Sequence, residues 1–365
     1  MSAEEYMKLA LGLARRGLGW TSPNPIVGAV LVKDNLIIGR GYHRRFGDNH
    51  AEVNALQNTT ADPAGATLYV TLEPCCHHGK TPPCVDTIIR NQVERVIIGT
   101  LDPNPEVNGK GVKILNENGI ETSVGVLEEE CRELNETHFK YMTTGLPLVT
   151  LKFAQTLDGR IATASGDSRW ISSEKFQKLA HRLRSINDAV LVGINTVLAD
   201  DPQLTVRLVK GRNPTRIILD SKLRTPLKSK IVRTCDAAPV IIVTTKGSDS
   251  QKAARLRRLG IEVLEVPSGV SGDIDLKHLL QALGERKISS LLVEGGAKVI
   301  TSFLSHKLAD RVVVAIAPKI LGKGIDAVGE LNITQLSQAL KLNFQKTSRA
   351  GDDVVIEAKV APSTG

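Results

Sequence analysis

Aromatic residues make up only 3% of this 365-residue sequence, and no apolar run is long enough to cross a membrane. A transmembrane helix needs about 18 or more consecutive apolar residues, so we expect no membrane partner. The first residues are acidic and lack the pattern of a secretory signal. The five cysteines are an odd and scattered set, which does not suit a disulfide framework. These features together predict a cytoplasmic protein.

Basic side chains are unevenly distributed along the chain. Residues 1–144 carry 14 Lys+Arg and 18 Asp+Glu, whereas residues 145–365 carry 33 and 21. A basic second half suits either phosphorylated small molecules or nucleic acid. Its basic residues do not alternate with aromatic ones, as they would on a surface that stacks single-stranded bases. We therefore expect a phosphorylated small molecule and no nucleic acid as partner. We also expect the chain to form a homo-oligomer.

A histidine and two cysteines in the first half form a candidate zinc site. His50, Cys75 and Cys84 offer one imidazole and two thiolates, which leaves the fourth position of a tetrahedral zinc open to water. Glu52 is not needed as a ligand, and its carboxylate can move a proton from zinc-activated water to a leaving amine. The pattern matches the H-x-E…P-C-x-x-C signature of zinc deaminases. It departs from that signature in one respect, since His78 stands where the second cysteine would be.

Other interpretations of this cluster remain open. A structural zinc site would take its fourth ligand from His77 or His78, and Glu52 would then have no function. Otherwise these two histidines contact the substrate or the groups around the metal ligands. Cys76 either packs beside the site or binds the metal. Lys80 either meets a substrate phosphate or is a solvated loop lysine.

Apolar strands alternate with helical segments along the whole chain, which predicts an α/β fold. The chain is longer than a usual single domain, and Gly145-Leu146-Pro147 is the best linker. We therefore expect two domains, residues 1–145 and residues 146–365. In the second domain we expect residues 354–360 to close the sheet. No G-x-G-x-x-G follows its first strand, so a classical Rossmann unit is not supported.

Long strings on both sides of the linker resemble the bifunctional deaminase/reductase family of riboflavin biosynthesis. They are E-P-C-x-H-x-G-x-T-P-P-C at residues 73–84, and residues 152–160, 168–172, 192–207 and 293–297. The resemblance implies a cytidine-deaminase-like three-layer domain followed by a dihydrofolate-reductase-like α/β domain. It also implies Zn2+ and NADPH as cofactors. The implied reactions are zinc-dependent hydrolytic deamination of 2,5-diamino-6-(phosphoribosylamino)pyrimidinone, then NADPH-dependent reduction of its ribosyl side chain to ribityl.

The resemblance further implies site residues in the second half. The cofactor-binding positions are Ala154, Trp170, Thr196, Asp200, Ser221, Gly296, Ala297, Lys298, Val299, Ile300, Thr301 and Ser302. The substrate-binding positions are Ser168, Arg184, Leu204, Arg207 and Glu294. In the first half, it places Asn24 at the border of the deaminase pocket, where it either holds the substrate ring or only shapes a turn.

Elementary chemistry suggests roles for several of these residues. The backbone N–H groups at Gly295-Gly296, together with a helix dipole, suit a cofactor phosphate. Arg184 and Arg207 can clamp a phosphate bidentately, unless they are solvated surface arginines. Glu294 can accept hydrogen bonds from ribose hydroxyls. Asp200 is the candidate for managing protons during ring opening; the alternative is that its neighbour Asp201 is the more buried of the two.

Trp170 is either a neighbour of the nicotinamide or a core or interface residue. Two other classes of function also remain. In one, the chain is a nucleic-acid base deaminase whose basic second half binds RNA. In the other, the second half is a scaffold or dimerisation unit without catalysis.

Overall fold

The computed structural model describes residues 1–79, 82–169, 171–269 and 272–361. The chain forms two compact units, Met1–Leu146 and Pro147–Gly365. Just before the second unit begins, a helix ends at Thr144 and Gly145 follows with φ at +70°, a left-handed conformation that glycine adopts at little cost. None of the helices in these ranges combines the length and the apolar character that crossing a membrane requires.

The first unit is built on a five-stranded sheet with helices on both faces. Its elements are α1 (Ala3–Ala14), β1 (Gly28–Lys33), β2 (Leu36–Tyr42), α2 (Ala51–Gln57), β3 (Thr67–Leu72), α3 (Cys84–Arg90), β4 (Arg95–Thr100), α4 (Lys110–Glu117), β5 (Glu121–Val124), α5 (Glu128–Leu134) and α6 (Glu136–Thr144). The strand order is β2-β1-β3-β4-β5. Strand β1 is antiparallel to β2 and β3, whereas β3, β4 and β5 are parallel.

The alternation of side chains along β1 explains why this unit has three layers. Ala29 and Leu31 join a buried cluster with α2, α3 and α4, while Val30 and Val32 join another with α1 and α5. Successive side chains of a strand point to opposite faces of its sheet. A strand that is apolar at every position must therefore be covered on both sides.

The second unit contains a nine-stranded sheet. Its elements are β6 (Leu148–Thr156), β7 (Arg160–Thr163), α7 (Glu174–Ile186), β8 (Ala189–Gly193), α8 (Ile194–Asp200), β9 (Thr215–Leu219), α9 (Lys230–Arg233), β10 (Val240–Thr245), α10 (Ser250–Arg258), β11 (Glu262–Val266), α11 (Leu276–Glu285), β12 (Ser290–Val293), α12 (Ala297–Ser305), β13 (Arg311–Ala317), β14 (Gly324–Asp326), β15 (Leu342–Ala350) and β16 (Asp353–Val360). The large sheet has the order β11-β10-β9-β8-β12-β6-β13-β16-β15, and β7 pairs with β14 separately.

Seven strands of this sheet are parallel, and only β16 and β15 run antiparallel to their neighbours. The carboxyl ends of β6, β8, β9, β12 and β13 therefore lie along one edge, where open α/β sheets bind their ligands. The expected α/β fold is confirmed. The expectation that residues 354–360 close the sheet is wrong, because β15 forms the edge and β16 is the second strand.

Candidate active sites

Three candidate zinc ligands converge in the first unit. His50 caps the N-terminus of α2, Cys75 follows β3, and Cys84 is the first residue of α3. The Nδ1 atom of His50 lies 3.2 Å from Sγ of Cys84 and 3.4 Å from Sγ of Cys75. Ligands of one tetrahedral zinc, with bonds of about 2.0 Å to nitrogen and about 2.3 Å to sulfur, would be separated by roughly 3.5 Å. The side chains are therefore spaced as ligands of a shared metal.

These three side chains strongly shift one another's pKa values. The hydrogen bond from Cys84 and the proximity of His50 lower the pKa of Cys75 to about 4, although burial opposes this shift. The hydrogen bond with Cys75, together with burial, raises the pKa of Cys84. Burial alone would lower the pKa of His50, but the hydrogen bond to Cys75 and the charge of Glu52 outweigh it and raise the pKa. One imidazole and two sulfur atoms form a donor set suited to zinc rather than to magnesium or calcium.

Glu52 lies beside this cluster in the first turn of α2 and is only 3% exposed. Its Oε2 atom is buried and has no hydrogen-bond partner in the described parts of the chain. Burial raises the pKa of Glu52 to about 7, and His50 partly opposes this shift. A buried carboxylate oxygen without a partner costs about 1–3 kcal/mol or more. An oxygen left in this state fits a group that exchanges protons with a bound molecule.

The neighbouring sulfur and imidazole groups do not join the cluster. Within the described ranges, the one group of three or more His, Cys, Asp or Glu side chains whose ligand atoms all lie within 4.8 Å of one another is His50, Cys75 and Cys84. Cys76 instead directs its Sγ to the carbonyl of Glu106 at 3.6 Å. This arrangement favours a metal with three protein ligands over a closed structural site. Lys80 lies outside the described residues.

His43 is a neighbour of the site that the sequence did not single out. Its ring meets that of His50 edge-on, with centroids 5.0 Å apart. Its Nε2 atom lies 3.3 Å from the amide nitrogen of Asn24, and its Nδ1 atom lies 3.1 Å from the carbonyl oxygen of Asn49. Asn24 is thus connected to the cluster through His43, which favours a role in the pocket over a turn alone.

Glu73 is a second residue that the sequence analysis missed. It is 3% exposed, and its carboxylate accepts the backbone N–H groups of Asp102, Gly109 and Val112 at 3.0–3.3 Å. It therefore fixes the loop after β4 against the loop that carries Cys75. In the sequence, the only indication that Glu73 has a role at this site was its position directly before Pro74 and Cys75.

In the second unit, glycines bring the N-termini of α8 and α12 together. A Cβ atom at Gly295 would lie 2.5 Å from Cβ of Val299, and one at Gly193 would lie 2.9 Å from its Cγ2. A Cβ atom at Gly296 would lie 4.0 Å from Oγ1 of Thr196. Two predicted cofactor positions, Thr196 and Gly296, are therefore neighbours at the carboxyl ends of β8 and β12. The N-cap residue of α12 is Gly296, which has no side chain to cap the helix, so the first N–H groups suit a cofactor phosphate.

The other predicted cofactor-binding residues differ in how they lie relative to the carboxyl ends of the parallel strands. Ala154 pairs with Ala315 across β6 and β13, and Ser221 lies two residues after the end of β9. Ile300 is fully buried, and the hydroxyl of Thr301 donates to the carbonyl of Ala297. The remaining positions of this run are Lys298 and Ser302, on the same helix. Along α12 the main chain is therefore better placed than the apolar side chains to meet a cofactor. Trp170 lies outside the described residues.

The two acidic residues at the end of α8 are not equivalent. Asp200 is exposed, whereas Asp201 is half-buried, and its Oδ1 atom accepts the N–H of Lys230 at 2.7 Å. Asp201 is the more buried of the pair, as the alternative interpretation held. It anchors α9, and Asp200 has the exposure of a surface carboxylate.

A buried ion cluster lies at the carboxyl end of β12. The carboxylate of Glu294 accepts hydrogen bonds from Nε and Nη2 of Arg184 at 2.5 and 2.9 Å, and from Nζ of Lys152 at 3.3 Å. Burial would raise the pKa of Glu294, but the two cations outweigh it and lower the pKa to about 2. Arg184 is thus bound to Glu294, and the expected clamp of two arginines on one phosphate is reduced to Arg207. Lys152 is a residue that the sequence analysis did not single out.

The other predicted substrate positions lie outside helices and strands. Leu204 is 3% exposed with φ at +56°, so the residue as a whole is shielded from solvent. Arg207 is exposed, and its Nη1 atom donates to Oγ1 of Thr205 at 2.7 Å. Ser168 is half-buried, and its carbonyl accepts the N–H of Ile171 at 3.3 Å.

Comparisons with known proteins cover both units. Residues 147–356 match the family model of the RibD C-terminal domain, and residues 1–100 match that of the cytidine and deoxycytidylate deaminase zinc-binding region. The riboflavin biosynthesis protein RibD of Aquifex aeolicus is 50% identical over 354 residues, which are 97% of each chain. RibD of Acinetobacter baumannii superposes with a TM-score of 0.90 at 38% identity, over 99% of both chains. A diaminohydroxyphosphoribosylaminopyrimidine deaminase/5-amino-6-(5-phosphoribosylamino)uracil reductase from Thermotoga maritima gives 0.87 at 42% identity, over 98% of this chain and 99% of its own.

Proposed function

Since this chain belongs to the RibD family, we infer that it is a bifunctional enzyme of riboflavin biosynthesis, a zinc-dependent deaminase and an NADPH-dependent reductase. We propose that residues 1–145 form the deaminase domain and residues 146–365 the reductase domain. The substrate is a small phosphorylated pyrimidine. We propose that it is 2,5-diamino-6-(phosphoribosylamino)pyrimidinone, which is first hydrolytically deaminated and then reduced from ribosyl to ribityl.

One observation carries the deaminase assignment: His50, Cys75 and Cys84 converge beside the buried carboxylate of Glu52. These three side chains would hold the zinc, and the bound metal would provide a nucleophile from water at neutral pH. Glu52 then takes the proton of the attacking water and gives it to the amine, which leaves as ammonia. Asn24 is placed through His43, and its amide can both donate to and accept from a pyrimidine ring.

In the reductase domain, NADPH supplies the hydride, and the protein binds and orients the reacting groups. We propose that the main chain at Gly296, facing Thr196, receives a cofactor phosphate. Glu294, ionised between its two cations, accepts hydrogen bonds from ribose hydroxyls. Arg207 binds the substrate phosphate through its guanidinium. Asp200 remains a proposed cofactor contact, and its exposure gives no support to a role in proton transfer.

The test is an assay of the purified protein in which ammonia release and NADPH oxidation are followed separately. We expect ammonia from the phosphoribosylaminopyrimidine, and NADPH oxidation only once deaminated product is present. Deamination of RNA but not of this pyrimidine would contradict the proposal and support a nucleic-acid base deaminase. Ammonia release without NADPH binding or oxidation would instead identify the second domain as a scaffold.

We further propose that the chain forms a homo-oligomer through the edge strand β15. This strand is exposed along most of its length, and Leu342 and Phe344 are 42% and 66% exposed. An uncovered edge strand with apolar side chains can pair with a second copy about a two-fold axis. Light scattering on the purified protein should give at least twice the chain mass of 39.4 kDa, and a monomer would contradict this proposal.

A further inference from the structure

The main chain of the substrate segment (residues 202–208) is held by side chains from outside it. The segment contains neither helix nor strand. Nη1 of Arg216, a fully buried arginine, donates to the carbonyl of Gln203 at 3.1 Å. The N–H of Val206 donates to Oδ1 of Asn213 at 2.7 Å. A loop supported in this way presents its side chains in fixed directions.

The third support is His181, a residue of α7 that is 6% exposed. Its Nδ1 atom accepts the N–H of Arg207 at 2.9 Å and lies 3.4 Å from the nitrogen of Leu208. An imidazole whose Nδ1 accepts hydrogen bonds is neutral and carries its proton on Nε2. Burial, together with the charges of Arg184, Arg207 and Lys152, lowers the pKa of His181 to about 4, and Glu294 only partly opposes this. The acceptor form is therefore the stable one at neutral pH.

Of the two predicted phosphate-binding arginines, Arg207 is the one whose main chain contacts His181. It is also the one whose guanidinium is available to a phosphate. Two nitrogens of Arg184 are bound to Glu294. The Arg207 guanidinium donates to the hydroxyl of Thr205, and among the described residues no carboxylate is paired with it. Burial and the charge of Arg184 lower the pKa of Arg207, as expected for two cations held near each other. An anionic group bound there would relieve this repulsion.

We propose that His181 is a positioning residue for phosphate recognition in the reductase site. By accepting the main-chain N–H groups of Arg207 and Leu208, it sets the direction in which the Arg207 guanidinium meets the phosphate of the substrate. The inference rests on the proposed function, in which Arg207 binds that phosphate. Because the contact lies on the phosphate side, its loss should raise KM and leave kcat nearly unchanged.

The test compares His181→Ala, His181→Asn and His181→Gln in the full-length protein. KM and kcat are measured for the deaminated pyrimidine with and without its phosphate, and its Kd is measured calorimetrically without NADPH. We expect His181→Ala to raise KM and Kd for the phosphorylated form about tenfold, equivalent to about 1.4 kcal/mol. The form without phosphate should be unaffected. Asparagine should restore tight binding, because its Oδ1 occupies the place of Nδ1, whereas the longer glutamine should not.

Two further variants distinguish an error in the proposed role of Arg207 from an error in the proposed role of His181. His278→Ala removes an exposed histidine of α11 and should change nothing. If Arg207→Ala leaves phosphate recognition intact, the proposed function of Arg207 is wrong. If Arg207→Ala weakens binding but His181→Ala does not, the positioning role of His181 is wrong. It is also wrong if His181→Ala weakens the binding of both forms of the substrate equally. Should His181→Ala fail to fold, equal KM values for the asparagine and glutamine variants would overturn the proposal.

Discussion

Glu294→Gln removes one negative charge from between Arg184 and Lys152 and is expected to destabilise the reductase domain. The pKa of Glu294 is lowered from 4.5 to about 2, and each unit of a pKa shift corresponds to about 1.4 kcal/mol. The ionised carboxylate therefore contributes on the order of 3 kcal/mol of stability at neutral pH. Leaving two largely shielded cations, 15% and 13% exposed, without their partner carries a cost of similar size, about 3–5 kcal/mol.

The sign of the pH dependence follows from the direction of this shift. A carboxyl group whose pKa is lowered on folding contributes its full stability above the unfolded pKa and loses it as the pH falls. The contribution of Glu294 should therefore be complete above about pH 5 and decline between about pH 4.5 and 2. In the Glu294→Gln variant this part of the acid dependence should be missing.

The assay is urea unfolding of the wild type and the variant at pH 7, with the transition of the reductase domain followed separately from that of the deaminase domain. The matched control is Glu262→Gln, which breaks the exposed pair with Arg286 and should cost less than about 1 kcal/mol. A loss below about 1 kcal/mol in Glu294→Gln as well would refute the reasoning that this ion cluster stabilises the fold.

Three further substitutions test other parts of the account. Glu52→Gln should retain zinc and spare NADPH oxidation when the deaminated pyrimidine is supplied, but should slow deamination by about 10²- to 10⁴-fold. Near wild-type deamination would show that another group transfers the proton. Gly295→Ala would place its Cβ atom 2.5 Å from that of Val299, so a fluorescence titration should show weaker NADPH binding, by about tenfold. Gly269→Ala, whose nearest contact would be at 3.7 Å, is its control. Glu73→Ala leaves three backbone N–H groups without their acceptor, at a cost of about 1–3 kcal/mol. The melting temperature of the deaminase domain should therefore fall, and an unchanged value would show that Glu73 does not anchor the loop after β4.

The sequence predicted features that depend on local patterns. Apolar runs such as β1 and β8 indicated buried strands, because a strand covered on both faces is apolar at every position. The spacing of His50, Cys75 and Cys84 predicted a metal site, since zinc restricts the residue types that can bind it. The family resemblance supplied the reactions and both cofactors, and the comparisons confirm the family and its zinc-binding deaminase region. The roles of individual site residues stay predictions.

Features that depend on contacts between distant segments were not predicted. Arg184 and Glu294 are separated by 110 positions, and no periodic pattern relates them, so Arg184 was interpreted as a phosphate ligand. Lys152 lies between buried strand residues, where a lone charge gives no local sign of its partner. Strand β15 was missed because its polar side chains resemble those of a loop, and only pairing with β16 makes it a strand.

The central claim is that His50, Cys75 and Cys84 alone hold the metal, beside Glu52. The most direct test is the zinc content of the purified protein and of Cys84→Ser, with Cys235→Ser in the other domain as control. We predict one zinc per chain in the wild type and the control, and a large loss in Cys84→Ser, because a hard oxygen replaces a thiolate. Full zinc occupancy in Cys84→Ser would contradict the claim and would point to His77 or His78 as the third ligand.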